Sequence, residues 1–149
     1  MGGHQRIRGD DAGSRSQAVI SLDTSVVVRY LVGTPKEQAD RAARLIDGDA
    51  DVAISLVVIA ETAHVLRSFY QMPRAELVDV LIDFMTKANV EPLEISTSEV
   101  IDALVRARAF ESAPITDALI AASARAHAAL PVYTFDQKFG RLGILVAAP

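Results

Sequence analysis

The chain of 149 residues contains no cysteine and no tryptophan, and aromatic side chains make up only 5% of it. Without cysteine there can be no disulfide framework and no metal site built on thiolates, and a reducing cytoplasm is the expected compartment. No apolar run approaches the roughly 20 residues that a membrane-spanning helix needs. We therefore expect a soluble, cytoplasmic protein with no membrane partner.

The chain also lacks an excess of basic residues. Its 15 Lys and Arg residues are outnumbered by 19 Asp and Glu residues, which gives a formal net charge of −4. A protein that binds nucleic acid mainly through its phosphates normally carries a basic surface, so a simple DNA-binding module is disfavoured. An enzyme that reaches phosphates through metal ions is not excluded, because its acidic residues then serve as ligands.

The first 18 residues differ in composition from the rest. The segment 1–18 (MGGHQRIRGDDAGSRSQA) is rich in Gly, Arg, Asp and Ser, and it lacks the apolar centre of a signal peptide. We interpret it as a disordered leader, either native or vector-derived. Half of the whole chain is hydrophobic, and residues 19–149 are long enough for one packed domain.

Short apolar segments alternate with longer helical patterns through residues 19–149. The segment after Asp23 is ambiguous, since Val26–Val28 favour a strand, but we prefer a helix capped by Thr24 or Ser25. The first strand should be buried on both faces, and the third, which contains Pro92, should be an edge strand. The predicted strands are Val19–Leu22, Val52–Ser55, Val90–Ile95 and Val132–Phe135, with a last apolar segment at Ile144–Ala148. The predicted helices are Thr24–Val32, Lys36–Asp47, Leu56–Tyr70, Pro73–Lys87, Ser98–Phe110 and Pro114–Leu130. This alternation predicts an α/β fold, a three-layer α/β/α sandwich around a mostly parallel central sheet.

Four carboxylates adjoin apolar segments. Asp23 follows VISL, Glu61 lies within LVVIAETAHVL, Asp117 opens DALIAASA, and Asp136 follows VYTF. Two stand at the carboxyl ends of strands and two near the amino ends of helices, so all four are expected to line one crevice. Like charges in an apolar setting need neutralising cations, and oxygen donors suit Mg²⁺ or Mn²⁺. The chemistry that such a pocket suggests is phosphodiester hydrolysis by a metal-activated water.

Each of these residues also has a purely structural interpretation. Asp23 and Asp117 would cap helices, and Asp136 would form an Asx-turn. Glu61 is harder to explain in this way, because a capping carboxylate belongs in or just before the first turn. His64, one turn further on, is more often a core residue than a ligand. The basic residues nearest the expected crevice have two interpretations, contacts to phosphates or, by default, solvated charges: Arg29, Arg67, Lys138 and Arg141.

Four strings in this order (LDTSVVVRYL, VVIAETAHVL, ITDALIAASA and VYTFDQKF) resemble a PIN-domain ribonuclease of the VapC toxin type. The resemblance implies a small α/β/α sandwich, Mg²⁺- or Mn²⁺-dependent endoribonuclease activity, a cognate antitoxin and a homodimer. Asp23, Glu61 and Asp117 match the three most regular acids of the family, and Asp136 matches a fourth that varies more. We expect Asp23, Asp117 and Asp136 to hold the ion or ions and Glu61 to be a further ligand or a proton acceptor. Ser25 stands where relatives often have Asn.

Other functional classes fit less well. A haloacid-dehalogenase-like phosphatase needs a second Asp at the position of Ser25. A receiver domain needs its phosphoacceptor Asp after the third strand, where Glu94-Ile95-Ser96 stand. The serious alternative is a catalytically silent PIN-like scaffold that binds RNA or a protein partner. The sequence names neither the RNA and its cleavage site, nor the number of ions, nor the antitoxin.

Overall fold

A computed structural model describes residues 18–149, so residues 1–17 of the predicted leader lie outside it. Three short strands, β1 (Val19–Ser21), β2 (Asp51–Ile54) and β3 (Val90–Pro92), form a parallel sheet in the order β1-β2-β3. In this sheet Ile20 is paired with Val52, which is in turn paired with Val90. Because the strands are parallel, the chain leaves β1 and β2 at the same edge of the sheet.

Helices follow the strands and form the outer layers of an α/β/α sandwich, as the alternation predicts. Their bounds are α1 (Thr24–Val32), α2 (Lys36–Ile46), α3 (Leu56–Ser68), α4 (Arg74–Met85), α5 (Thr97–Ala109) and α6 (Ile115–Ala126). α3 packs against α1, α4 and α6, and α5 packs against α4 and α6. Large aliphatic side chains such as Ile54, Leu66 and Leu104 are almost fully buried between these elements. In residues 18–149 we find no helix that is both long enough and apolar enough to cross a membrane.

The first strand is less buried than we predicted. Among residues 18–149, β1 pairs with β2 alone, so it is an edge strand of this sheet, and Val19 is 68% exposed. Leu22, one residue past the strand, is the residue that enters the core. The prediction of burial on both faces was wrong because it applies to central strands. The prediction that the Pro92-containing strand is an edge is confirmed, since β3 lies at the other end of the sheet.

The fourth predicted strand does not join this sheet. Only Val132–Tyr133 is extended (β4), and it pairs in parallel with β5 (Val146–Ala147) in a second, two-stranded sheet. A 3₁₀ helix at Gln137–Leu142 joins the two strands and buries Phe139 and Leu142. The predicted strand residue Phe135 is instead 90% exposed. The apolar string VYTF therefore forms a two-residue strand followed by a turn, not a strand of the central sheet.

The ends of α1 and α3 fix where the candidate residues stand. α1 is helical, as preferred, but its cap is Asp23, whose side chain accepts the Ser25 backbone N–H. The prediction of Thr24 or Ser25 as cap was wrong. At the other end Gly33 takes a φ of +79°, a left-handed conformation that glycine adopts at low cost.

A carboxylate for which the sequence indicated no role contacts the amino end of α3. Glu94, just after β3, accepts hydrogen bonds from the Ser55 hydroxyl (3.0 Å) and from the Leu56 backbone N–H (2.9 Å). A negative charge at a helix amino end is favourable. The buried face of α3 then repeats at helical spacing through Ile59, Thr62, Ala63 and Leu66, which leaves Glu61 on the exposed face.

Candidate active site

Asp23 stands where β1 ends and α1 begins. Its Oδ2 accepts hydrogen bonds from the Ser25 hydroxyl (2.9 Å) and, at 3.4 Å, from the Ser25 backbone N–H. The Ser25 hydroxyl, followed by the backbone N–H groups of Ser25 and Thr24, lowers the pKa of Asp23. The carboxylate is exposed and therefore anionic at neutral pH. The helix-cap interpretation of this residue is thus correct, and it leaves an accessible negative charge at the edge of the sheet.

Glu61 reaches the same end of α1 from the neighbouring helix. Its Oε2 accepts a hydrogen bond of 2.8 Å from the hydroxyl of Thr24, the residue that follows Asp23. Thr24 is only 6% exposed, whereas Glu61 is exposed. A buried hydroxyl on one helix therefore holds a solvent-facing carboxylate on another, and the structure brings Glu61 to the neighbourhood of Asp23.

Asp117 and Asp136 form a second acidic neighbourhood. Asp117 lies half-buried in the first turn of α6, where Pro114 is the cap, so the interpretation of Asp117 as the helix cap is wrong. Burial, and secondly the negative charge of Asp136, raise the pKa of Asp117. Asp136 is exposed, and its Oδ1 accepts the Lys138 backbone N–H at 2.8 Å, which is the Asx-turn that the sequence suggested.

The structure groups the four carboxylates less closely than we expected. α3, which carries Glu61, packs against both α1 and α6. Within residues 18–149, however, no three Asp, Glu or His side chains lie close enough to hold a metal ion between them. The apolar residues next to these carboxylates in sequence also do not bury them, because those aliphatic side chains turn inward while the carboxylates face solvent. Of the four, only Asp117 is partly shielded. A single ion shared by all four stays a prediction.

Comparison with models of known protein families gave a match that covers most of the chain. A family model, the PIN domain, matches residues 20–145, which include all four carboxylates. The chain belongs to the PIN-domain family. PIN domains are generally metal-dependent nucleases, so this chain has a nuclease-like fold. A search of curated proteins and a search of solved structures each gave no match.

The donors of this PIN domain fit a hard divalent cation by their chemistry. All four candidates offer carboxylate oxygens, the ligands that Mg²⁺ prefers. Mg²⁺ usually keeps several waters and binds through one or two carboxylates together with substrate phosphates. A pair such as Asp117 and Asp136, whose mutual repulsion a cation would relieve, is consistent with that mode even without a third protein ligand.

Some residues around the site were not found from the sequence. Thr24 was considered only as a cap, although its hydroxyl binds Glu61 across 37 positions of the chain. His64 was interpreted as a core residue, but it is exposed and lines a cavity together with Arg67 and Arg74. No local pattern singled out Arg74, because only the packing of α4 brings it to α3.

Proposed function

We propose that this PIN domain is a metal-dependent endoribonuclease and the toxin component of a toxin–antitoxin pair. The observation that carries the proposal is the half-buried Asp117 carboxylate, on which the negative charge of Asp136 acts, within a chain that matches the PIN family over residues 20–145. A partly buried carboxylate under the influence of a second negative charge is unfavourable on its own. A divalent cation offsets that cost, and phosphodiester hydrolysis is the chemistry that such a cation serves.

Each acidic residue has a proposed role. Asp23, Asp117 and Asp136 hold the ion or ions, Mg²⁺ or Mn²⁺, and Glu61 is a further ligand or accepts the proton of the attacking water. When bound, the cation supplies a more acidic water and neutralises charge on the scissile phosphate. The Thr24 hydroxyl orients the Glu61 carboxylate, and the Ser25 hydroxyl orients that of Asp23.

The proposed partners are RNA as substrate, a cognate antitoxin and a second copy of the chain, in the cytoplasm. These rest on the likeness of the four sequence strings to VapC-type toxins. Asp23 and Glu61 are exposed, so both carboxylates are accessible to an incoming protein such as an antitoxin. An antitoxin that inserts an Arg or Lys there would compete with the cation for the same oxygens. Protection that persists after neutralising those basic residues would refute this mode of inhibition.

The experiment is an RNA cleavage assay on purified protein freed of any antitoxin. We expect D23A and D117A each to lower cleavage by at least ~100-fold, the scale typical of losing a group that stabilises the transition state, and excess chelator to abolish it in the wild type. D83A is the matched control, because it makes the same substitution at Asp83, an exposed carboxylate on α4 that is none of the four acids. Circular dichroism checks that all variants are folded. Wild-type cleavage that survives chelator would contradict the proposal.

The second candidate is a catalytically silent scaffold that binds RNA or a protein partner. One observation favours it: in residues 18–149, no three His, Asp or Glu side chains lie close enough together to hold a metal ion. The same assay separates the two functions. A scaffold retains RNA without cutting it at any Mg²⁺ or Mn²⁺ concentration, whereas the proposed enzyme shortens the RNA only when metal is present.

A further inference from the structure

A small basic cavity lies beside the candidate active site. It has a volume of about 110 Å³ and is enclosed by α3, the start of α4 and the first turn of α6. Its polar lining comes from His64, Arg67, Arg74 and Thr116, over a floor of small and aliphatic side chains. A water needs about 10–15 Å³ measured in this way, so the space holds several waters or one compact oxyanion.

The two guanidinium groups line the same cavity, and their like charges oppose each other. Burial, and secondly the charge of Arg67, lower the pKa of Arg74, while Glu111 opposes them more weakly. Within residues 18–149, neither arginine has a carboxylate at ion-pair distance. Two neighbouring cations without such a partner are an arrangement that a bound anion stabilises.

Backbone carbonyls hold both arginines in place. Arg74 donates to the carbonyl oxygens of Ala107 (3.3 Å) and Glu111 (3.0 Å), and Arg67 donates to that of Met72 (3.3 Å). These neutral acceptors fix the side chains without cancelling their charge. Arg74, which is half-buried and makes two of these bonds, therefore loses less conformational entropy when an anion binds, which favours binding.

The cavity adjoins the acidic residues along two elements. Ala60, in its wall, directly precedes Glu61 on α3, and Thr116 directly precedes Asp117 on α6. The cavity and two of the acids therefore occupy consecutive positions on α3 and on α6. We propose that this cavity binds a backbone phosphate of the RNA, next along the strand to the phosphate that is cleaved. The identity of the ligand as RNA rests on the proposed function, whereas the anion site itself does not.

The first test measures RNA binding without cleavage, in chelator, by fluorescence anisotropy over a series of KCl concentrations. For R67Q we expect affinity to fall several-fold and the slope of log K against log salt to decrease in magnitude by about 1, the value for one lost phosphate contact. R67K should retain most of the slope, because it keeps the charge. R44Q is the matched control, since Arg44 is an exposed arginine of α2 that does not line the cavity. A slope for R67Q equal to that of the wild type would overturn the proposal.

The second test uses inorganic phosphate and separates this proposal from the proposed function. Phosphate should raise the Tm of the wild type above its value in KCl of equal ionic strength, and it should not do so for R67Q. If that difference appears although the wild type never cleaves RNA, the anion site stands and the nuclease proposal fails. If cleavage is metal-dependent but phosphate has no effect and R67Q has the wild-type KM, the anion site is refuted and the nuclease stands. In an active enzyme we expect R67Q to raise KM several-fold and leave kcat within about twofold, because Arg67 binds a phosphate that does not react.

Discussion

Replacing Thr24 with Val removes the hydroxyl that donates to Glu61 and changes little else. The hydrogen bond is 2.8 Å long, and its donor is 6% exposed. Bonds to charged groups contribute about 1.5–3 kcal/mol, and the lower part of that range applies because water can replace the donor at the exposed Glu61 carboxylate. Val and Thr have similar helix propensities. We expect T24V to lower the free energy of unfolding by about 1.5 kcal/mol.

The assay is urea unfolding of wild type, T24V, E61Q and the double variant. A double-mutant cycle isolates the Thr24–Glu61 coupling, which we expect to be about 0.5–1 kcal/mol. In RNA cleavage, T24V should lower kcat because Glu61 loses its fixed orientation, and T24S, which keeps the hydroxyl, should restore most of it. A coupling of zero, together with an unchanged kcat in T24V, would refute the claim that Thr24 positions Glu61.

Three further predictions concern stability. The pKa of Asp117 is raised in the folded protein, mainly by burial and then by the charge of Asp136. The favourable contribution of Asp117 to folding stability is therefore present below its unfolded pKa of about 3.9 and is lost as pH rises through its folded pKa. D117N should therefore unfold at a higher Tm than wild type in chelator at pH 7 but not at pH 3; a lower Tm at pH 7 would contradict this. The pKa of Asp47 is lowered chiefly by the Lys87 hydrogen bond (2.7 Å), so its contribution is present above about pH 3.9 and is lost as pH falls through the folded value. D47N should cost about 0.2–1 kcal/mol at pH 7 in urea unfolding, and an equal cost at pH 2 would argue against the ion pair. Leu104 is fully buried, so L104A should cost about 2–5 kcal/mol in the same assay, and a cost under ~1 kcal/mol would mean that the core is not packed as described.

The order of elements could be predicted because periodicity is a local property. The spacing of Ile59, Ala63 and Leu66 marks the buried face of α3 within a single stretch of sequence. The exposure of β1 could not be predicted in this way, since an apolar strand reads the same at the centre and at the edge of a sheet. Pro92 was informative because its missing N–H disfavours a central position.

The candidate site was predictable as residue types but not as geometry. Asp23 and Asp136 stand at turns that their own side chains stabilise. The same short stretch of sequence therefore predicts both the turn and the candidate metal ligand. The Thr24–Glu61 contact and the Arg67–Arg74 cavity join residues from different helices. Those depend on how helices pack, which no single stretch of sequence encodes.

We propose that acids distant in the chain hold a divalent cation at one site. The most direct measurement is anomalous scattering from crystals of the wild type and of D117N grown with Mn²⁺. We expect a manganese peak coordinated by Asp117 and by one or more of Asp23, Glu61 and Asp136 in the wild type, and no peak there in D117N. A wild-type crystal with no manganese at these carboxylates, or with the ion elsewhere, would contradict it.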